Sequence, residues 1–126
     1  MLIRIVINDS EIQSSLDDTP TARGFAALLP LSLTLADFHG TERIADLPRR
    51  LTTTDAPPGT QPRAGDVTYY APCGNLALCY RDFTYSDGLI RLGRLDTGAA
   101  NVLAGFGPGH SLARIELATG GVPTGR

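Results

Sequence analysis

Asp96-Thr97-Gly98-Ala99, directly after the apolar Leu95, is the sharpest chemical signal in the sequence. An aspartate held in a glycine turn can share one proton with an aspartate of a second subunit and activate water. That chemistry also needs a downstream glycine-containing strand folded over the turn, and little sequence follows Gly98 to supply one. The plainer reading makes Asp96 a helix N-cap and puts Gly98 in the first turn. Gly105-x-Gly-x-Gly has the look of a phosphate cradle, but it precedes a strand instead of opening a helix, and Pro108 interrupts it. Ser86, His110 and an aspartate would make a hydrolytic triad, yet no Gly-x-Ser-x-Gly elbow exposes a serine. Cys73 with His39 would make a thiol–imidazole pair, although a cysteine in the turn Pro72-Cys73-Gly74-Asn75 needs no such role.

Other residues fit binding better than catalysis. Arg49 and Arg50, the only adjacent arginines, could clamp an anion or carboxylate with their planar forks, or simply pair with Asp46 or Asp55. Glu42 reads as a surface or capping carboxylate before it reads as an acid catalyst, and Tyr85 as an aromatic flanking the Ser86-Asp87-Gly88 turn. Lysine is absent, so all 11 basic residues are arginines, and phosphate-loop, Schiff-base and Ser-x-x-Lys chemistries are excluded. Cys73, Cys79, His39 and His110 contain no short ligand pair, so neither a metal nor another cofactor is expected.

The formal net charge is -2, and no basic stripe exists to follow a phosphate backbone, which argues against nucleic acid as a partner. The longest apolar runs fall far short of the ~20 residues of a membrane span, and the N-terminus lacks the pattern of a signal peptide. A cytoplasmic protein with no membrane partner is the expectation.

At 126 residues the chain fits one domain, expected over 1–118, with a flexible Gly- and Pro-containing tail over 119–126. Ile3, Ile5 and Ile7 alternate with Arg4 and Val6 as in a half-buried strand, and Ile12, Ser14 and Leu16 give a weaker return strand. Asp18 or Thr19 caps a helix with Pro20 at its first position, and Ala22, Phe25, Ala26 and Leu29 form its apolar face up to Pro30. Leu31 to Ala36 reads as a strand, His39-Gly40 as a turn, and Ile44 to Leu47 as a short segment. Thr52 to Gly65, with three prolines beyond Ala56 and no periodicity, reads as a long functional or mobile loop.

Asp66–Ala71 and Leu76–Tyr80 flank a four-residue turn as a hairpin. With Pro72–Asn75 as the turn, Tyr70 lies opposite Ala77, and Tyr69 opposite Leu78. Val67, Tyr69, Ala71, Leu76, Leu78 and Tyr80 then share a core face, while Thr68, Tyr70, Ala77 and Cys79 share the other. Cys79 sits about 10 Å along the ladder from Cys73, beyond disulfide reach. Leu89 to Leu95 is a strand with Gly93 marking a bulge or close approach, Asp96 to Ala104 a short helix, and Ser111 to Ala118 the last strand. Seven or eight short strands and two helices suit a mainly β fold, a small antiparallel barrel.

Several blocks are familiar together. They are Thr19-Pro20-Thr21-Ala22-Arg23 before Leu28-Leu29-Pro30, Leu47-Pro48-Arg49, Gly65 to Pro72, Gly74-Asn75-Leu76-Ala77, and Gly88 to Leu95. In this order, from Leu2 to Ala118, the chain resembles the small bacterial cyclophilin-like fold proteins. The resemblance implies a closed eight-stranded barrel with a helix at each open end. Relatives often carry a tryptophan where this chain has Cys73. True cyclophilins are prolyl isomerases that use an arginine in a Phe-His-Arg run and a glutamine before Gly-Gly-Asp. This sequence has neither run, so the resemblance transfers no catalytic residue. Some relatives are fused to or encoded beside flavodoxin-like proteins, which implies a redox context.

The first expectation is therefore a non-catalytic binding module. Its surface groove would hold a peptide segment or small ligand with Tyr70, Asn75, Arg49, Arg50, Cys79 and Glu42, and the Thr52–Gly65 loop as a flexible wall. The alternatives are a residual prolyl isomerase and an accessory protein that docks on a flavodoxin-like partner.

Overall fold

Period-two alternation becomes a strand wherever one face can be buried, and the first hairpin shows it. A computed structural model describes residues 1–118 of the chain; the tail expected at 119–126 lies outside the described residues. In β1 (Leu2–Ile7), Ile3, Ile5 and Ile7 are fully buried, and β2 (Ser10–Leu16) returns antiparallel with Ile5 opposite Ile12. Asn8 turns the corner at φ 53, a left-handed position that asparagine tolerates.

Helix α1 (Pro20–Ala26) follows, with the Thr19 hydroxyl accepting the Ala22 N–H and proline in the first turn. It stops at Ala26 instead of reaching Leu29, because the residue before Pro30 is excluded from helical conformation and the chain must already be leaving. Then come β3 (Leu31–Phe38), β4 (Glu42–Asp46), the two-residue β5 (Gly59–Thr60), β6 (Asp66–Tyr70), β7 (Asn75–Cys79), the two-residue β8 (Ser86–Asp87) and β9 (Leu89–Leu95). Helix α2 (Ala99–Ala104) and β10 (His110–Leu117) complete the chain. No helix among the described residues is long and apolar enough to cross a membrane.

Eight of the strands close a barrel in the order β1-β10-β3-β4-β7-β6-β9-β2, and β5 and β8 form a separate two-stranded sheet outside it. Strand makes up 47% of the structure, so the mainly β reading and the eight-stranded barrel both hold. The interior is filled by Ile3, Ile5, Leu35, Val67, Tyr69, Leu76, Leu78, Leu92 and Ile115. Each such side chain contributes about 1.5–3 kcal/mol by leaving water. Since β2 and β9 run antiparallel, the helices that follow them leave at opposite ends, where Phe25 and Leu103 are fully buried in the core.

Three local expectations need correction. The β6–β7 turn is Ala71–Gly74, which pairs Tyr70 with Asn75 and Tyr69 with Leu76. Gly74, at φ 70, donates its N–H to the Tyr70 carbonyl at 2.9 Å, so the chain is already closed before Asn75. The slip is two residues, so every side chain keeps its expected face. Asp96 does not cap α2: Gly98 occupies the N-cap at φ 89, a conformation an L-residue adopts only with strain. The stretch from Thr52 to Gly65 is not structureless, because Gly59 and Thr60 pair with Asp87 and Ser86.

Gly93 combines both of its expected roles. A Cβ there would lie 1.9 Å from the Ser15 carbonyl oxygen. Across the other edge the β6–β9 register shifts between Val67 and Thr68, which is a bulge.

Candidate functional site

The outer face of the barrel at β4, β7, β6 and β9 is where the candidate residues meet. Parity along these strands turns Glu42, Ile44, Asn75, Ala77, Cys79, Thr68, Tyr70 and Leu89 away from the core. Leu89, Tyr70 and Asn75 stand in one row across three strands, and Glu42 stands directly opposite Cys79. Yet Thr68, Ala77 and Cys79 are almost fully buried, because the outer face is covered by chain.

That cover is pinned at several points. Phe83 N–H donates to the Pro62 carbonyl at 3.0 Å, Gly65 N–H to Cys79 at 2.8 Å, and Gly88 N–H to Pro58 at 2.7 Å. Ala64 N–H donates to the Asp82 carboxylate at 2.8 Å. At Gly59 an added Cβ would lie 2.3 Å from the Ser86 carbonyl oxygen and 2.7 Å from the Tyr85 hydroxyl, so only glycine lets the two short strands meet. The wall expected to be a flexible loop is thus a tied sheet, β5 with β8.

Between cover and barrel lies a cleft of about 280 Å³. Its aromatic lining is Phe38, Tyr70, Phe83 and Tyr85, with Ile44, Leu89 and Pro62 beside them, and Thr41, Glu42, Asn75 and Ser86 are polar members. Cys73 and His39 also reach it, the latter with its ring edge-on to Phe38 at 4.1 Å between centroids.

Three of the six expected binding residues, Glu42, Tyr70 and Asn75, therefore share one cleft. Cys79 lies beneath it as floor. Its Sγ is 3.8 Å from the Thr68 hydroxyl and 3.9 Å from Glu42 Oε2, while Thr68 donates to the Ala77 carbonyl at 3.0 Å. Burial pushes the Cys79 thiol up to about 12, which removes it as a nucleophile at neutral pH. Glu42 is also raised above the usual carboxylate range, chiefly by burial and against the opposing pull of the Cys79 thiol and His39.

The two arginines are elsewhere. Arg50 donates to the Ala71 and Pro72 carbonyls at 2.7 and 3.5 Å and clasps the β6–β7 turn, and neither Arg49 nor Arg50 lines the cleft. Adjacent in sequence, they invite a reading as an anion clamp, but a guanidinium satisfies a turn's carbonyl oxygens equally well.

Sequence reasoning missed Phe38, His39 and Phe83 as site residues, and read Tyr85 only as a turn neighbour. The one available signal was aromatic residues in polar turn segments, Phe38-His39-Gly40 and Phe83-Thr84-Tyr85, where a core role is hard to satisfy. It also missed Arg43, which the parity of β4 turns into the barrel. Buried, Arg43 donates to the Leu103 carbonyl at 3.3 and 2.8 Å and to Gly107 at 2.6 Å, lies 3.4 Å from Asp37, and stacks over the Tyr80 ring at 5.0 Å. Tyr80 donates to Asp37, which also accepts the Gly40 N–H; the tyrosine bond is the main reason the Asp37 carboxyl is held low. This group fixes the β3–β4 turn that carries Phe38, His39 and Glu42, and ties it to the end of α2.

Comparison with known proteins agrees with this architecture. The solution structure of the hypothetical protein AF2241 from Archaeoglobus fulgidus superposes with a TM-score of 0.66 at 20% identity, over 94% of this chain and 95% of that one. The structure of McbB in complex with tryptophan gives a TM-score of 0.59 at 12% identity, over 98% of this chain and 46% of McbB. No curated protein matches significantly. The sequence profile described as the Cyclophilin-like family matches residues 5–116, nearly the whole barrel from β1 to β10, and the chain belongs to that family.

Proposed function

We propose that this protein is a binding module whose outer cleft holds a small ligand. The observation that carries the reading is the cleft itself: Phe38, Tyr70, Phe83 and Tyr85, from three separate stretches of chain, converge on it beside a few polar groups, Glu42 and Asn75 among them. Its 280 Å³ falls just below the roughly 300–1,000 Å³ of small-molecule sites, which favours a compact ligand over an extended peptide. The floor is rigid by construction, since a closed sheet carries it. McbB, a neighbour in fold, is bound to tryptophan in its structure, so a protein with this likeness does take a small aromatic molecule.

Binding is preferred over prolyl isomerisation because no arginine is among the lining residues. Phe38-His39 lies in the cleft, but the chain continues into Gly40 at φ 66 where the isomerase run would place its guanidinium. A screen of aromatic and aliphatic fragments by backbone amide shifts tests the reading. Shifts should centre on Glu42, Tyr70, Asn75 and Tyr85 and be lost in Tyr70→Ala. Binding that maps elsewhere, or that survives Tyr70→Ala undiminished, would overturn it.

A further inference from the structure

Resting on that cleft reading, we infer that its ligand is a small organic cation, an ammonium carried on a compact apolar body.

The argument starts from charge. The anion clamp expected of Arg49 and Arg50 is absent from the cleft, and its sign is reversed: the only carboxylate among the lining residues is Glu42, and no arginine accompanies it. Among the described residues Glu42 forms no ion pair, and its carboxylate meets the weak thiol donor of Cys79 at 3.9 Å. A partly buried carboxylate without a cation bears a desolvation cost, consistent with its raised pKa. Bringing an ammonium to it removes that cost.

The remaining lining suits the same ligand. Phe38, Tyr70, Phe83 and Tyr85 line the same cleft as the carboxylate, and aromatic rings attract cations through their negative faces. Phe83 and Tyr85 are more than half exposed, so their rings are open to a ligand entering the cleft. Of the basic groups nearby, Arg81 donates to the Gly40 carbonyl at 3.0 Å and Arg50 holds the β6–β7 turn, while His39 lines the cleft and offsets the burial of Glu42 only in part. Asn75 can accept a second ammonium proton or donate to a hydroxyl on the ligand.

The test uses three probes of one shape on the whole chain: 2-phenylethylammonium, 2-phenylethanol and 3-phenylpropionate, each titrated by backbone amide shifts. The ammonium should bind about ten-fold more tightly than the alcohol, and the carboxylate most weakly. Glu42→Gln should bring the ammonium and the alcohol to equal affinity. Asp46→Asn, which removes an exposed carboxylate outside the cleft, should leave the preference intact. If the alcohol or the carboxylate binds in the cleft as well as the ammonium, or if Glu42→Gln keeps the preference, the cation assignment is wrong while the cleft reading stands. A lysine-bearing peptide that binds where free 2-phenylethylammonium does not would also overturn it. If none of the three probes shifts cleft residues, both fail together.

Discussion

Tyr69 and Tyr70 are chain neighbours on opposite faces of β6, and their surroundings differ accordingly. The Tyr69 ring is buried in the barrel, where its hydroxyl accepts the Leu51 N–H at 3.1 Å; Tyr70 is only partly covered and lines the cleft. Tyr69→Ala should cost about 3–5 kcal/mol, as large core truncations do, and show as a large fall in Tm. Tyr70→Ala should cost well under that and instead remove binding, so denaturant melts of the two variants should separate clearly. Glu42 supplies a pH signature. Its folded pKa is raised, so its contribution to stability is fully present while it is neutral and declines as pH rises through that raised value. His39 and the Cys79 thiol face it and oppose the shift only in part. Glu42→Gln should therefore melt at a higher temperature than the parent at neutral pH and at the same temperature near about pH 3. A variant less stable at neutral pH would show that the carboxylate contributes to the fold.

At the scale of elements, two glycines separate barrel from cleft wall. A methyl at Gly93 would meet the Ser15 backbone where β9 pairs with β2, a contact that no side-chain movement relieves. Gly93→Ala should abolish the cooperative transition or lower Tm severely. A methyl at Gly59 meets the Ser86 backbone, but only in the small sheet of β5 and β8 outside the barrel. Gly59→Ala should keep the far-ultraviolet circular dichroism and cooperative melt while weakening cleft binding at least ten-fold. Loss of the barrel in Gly59→Ala would mean that the wall is integral to folding. The Arg43 network works at the same scale: one guanidinium ends α2, holds Asp37 and stacks on Tyr80, and removing one member of such a buried set typically costs about 3–5 kcal/mol.

For the whole molecule, closure is what matters. β1 pairs with β10, so the first and last strands complete the ring, and β10 also pairs with β3. A chain shortened to end at Gly109 would leave two adjacent unpaired edges and open the core around Ile115. We expect no cooperative thermal unfolding from it, monitored by circular dichroism, whereas the full chain should melt as one unit. A shortened chain with a sharp transition would show that the barrel closes without β10. Pairing strands so distant in sequence also makes refolding slow, on the millisecond-to-second scale of barrel-like β domains.

Period-two alternation in β1, β3, β6, β7 and β10 was readable directly, because a side chain's face in a strand depends only on parity. The capping of α1 by Thr19 and the close approach at Gly93 were readable for the same local reason. Even the misplaced turn at Ala71–Gly74 left the faces right, since the error was an even number of residues. From this the sequence by itself determined the fold class and the inward and outward sets, which put Tyr70 and Cys79 on the outer face. It could not determine what covers the outward set. Phe83 and Tyr85 reach the cleft through β5–β8 pairing, Arg43 finds Leu103 and Gly107 across the barrel end, and Arg50 is drawn to the turn instead of the cleft. These contacts join residues far apart in the chain, and no local propensity encodes them. Hence which charged side chains line the cleft, Glu42 and no arginine, was settled only by the tertiary structure.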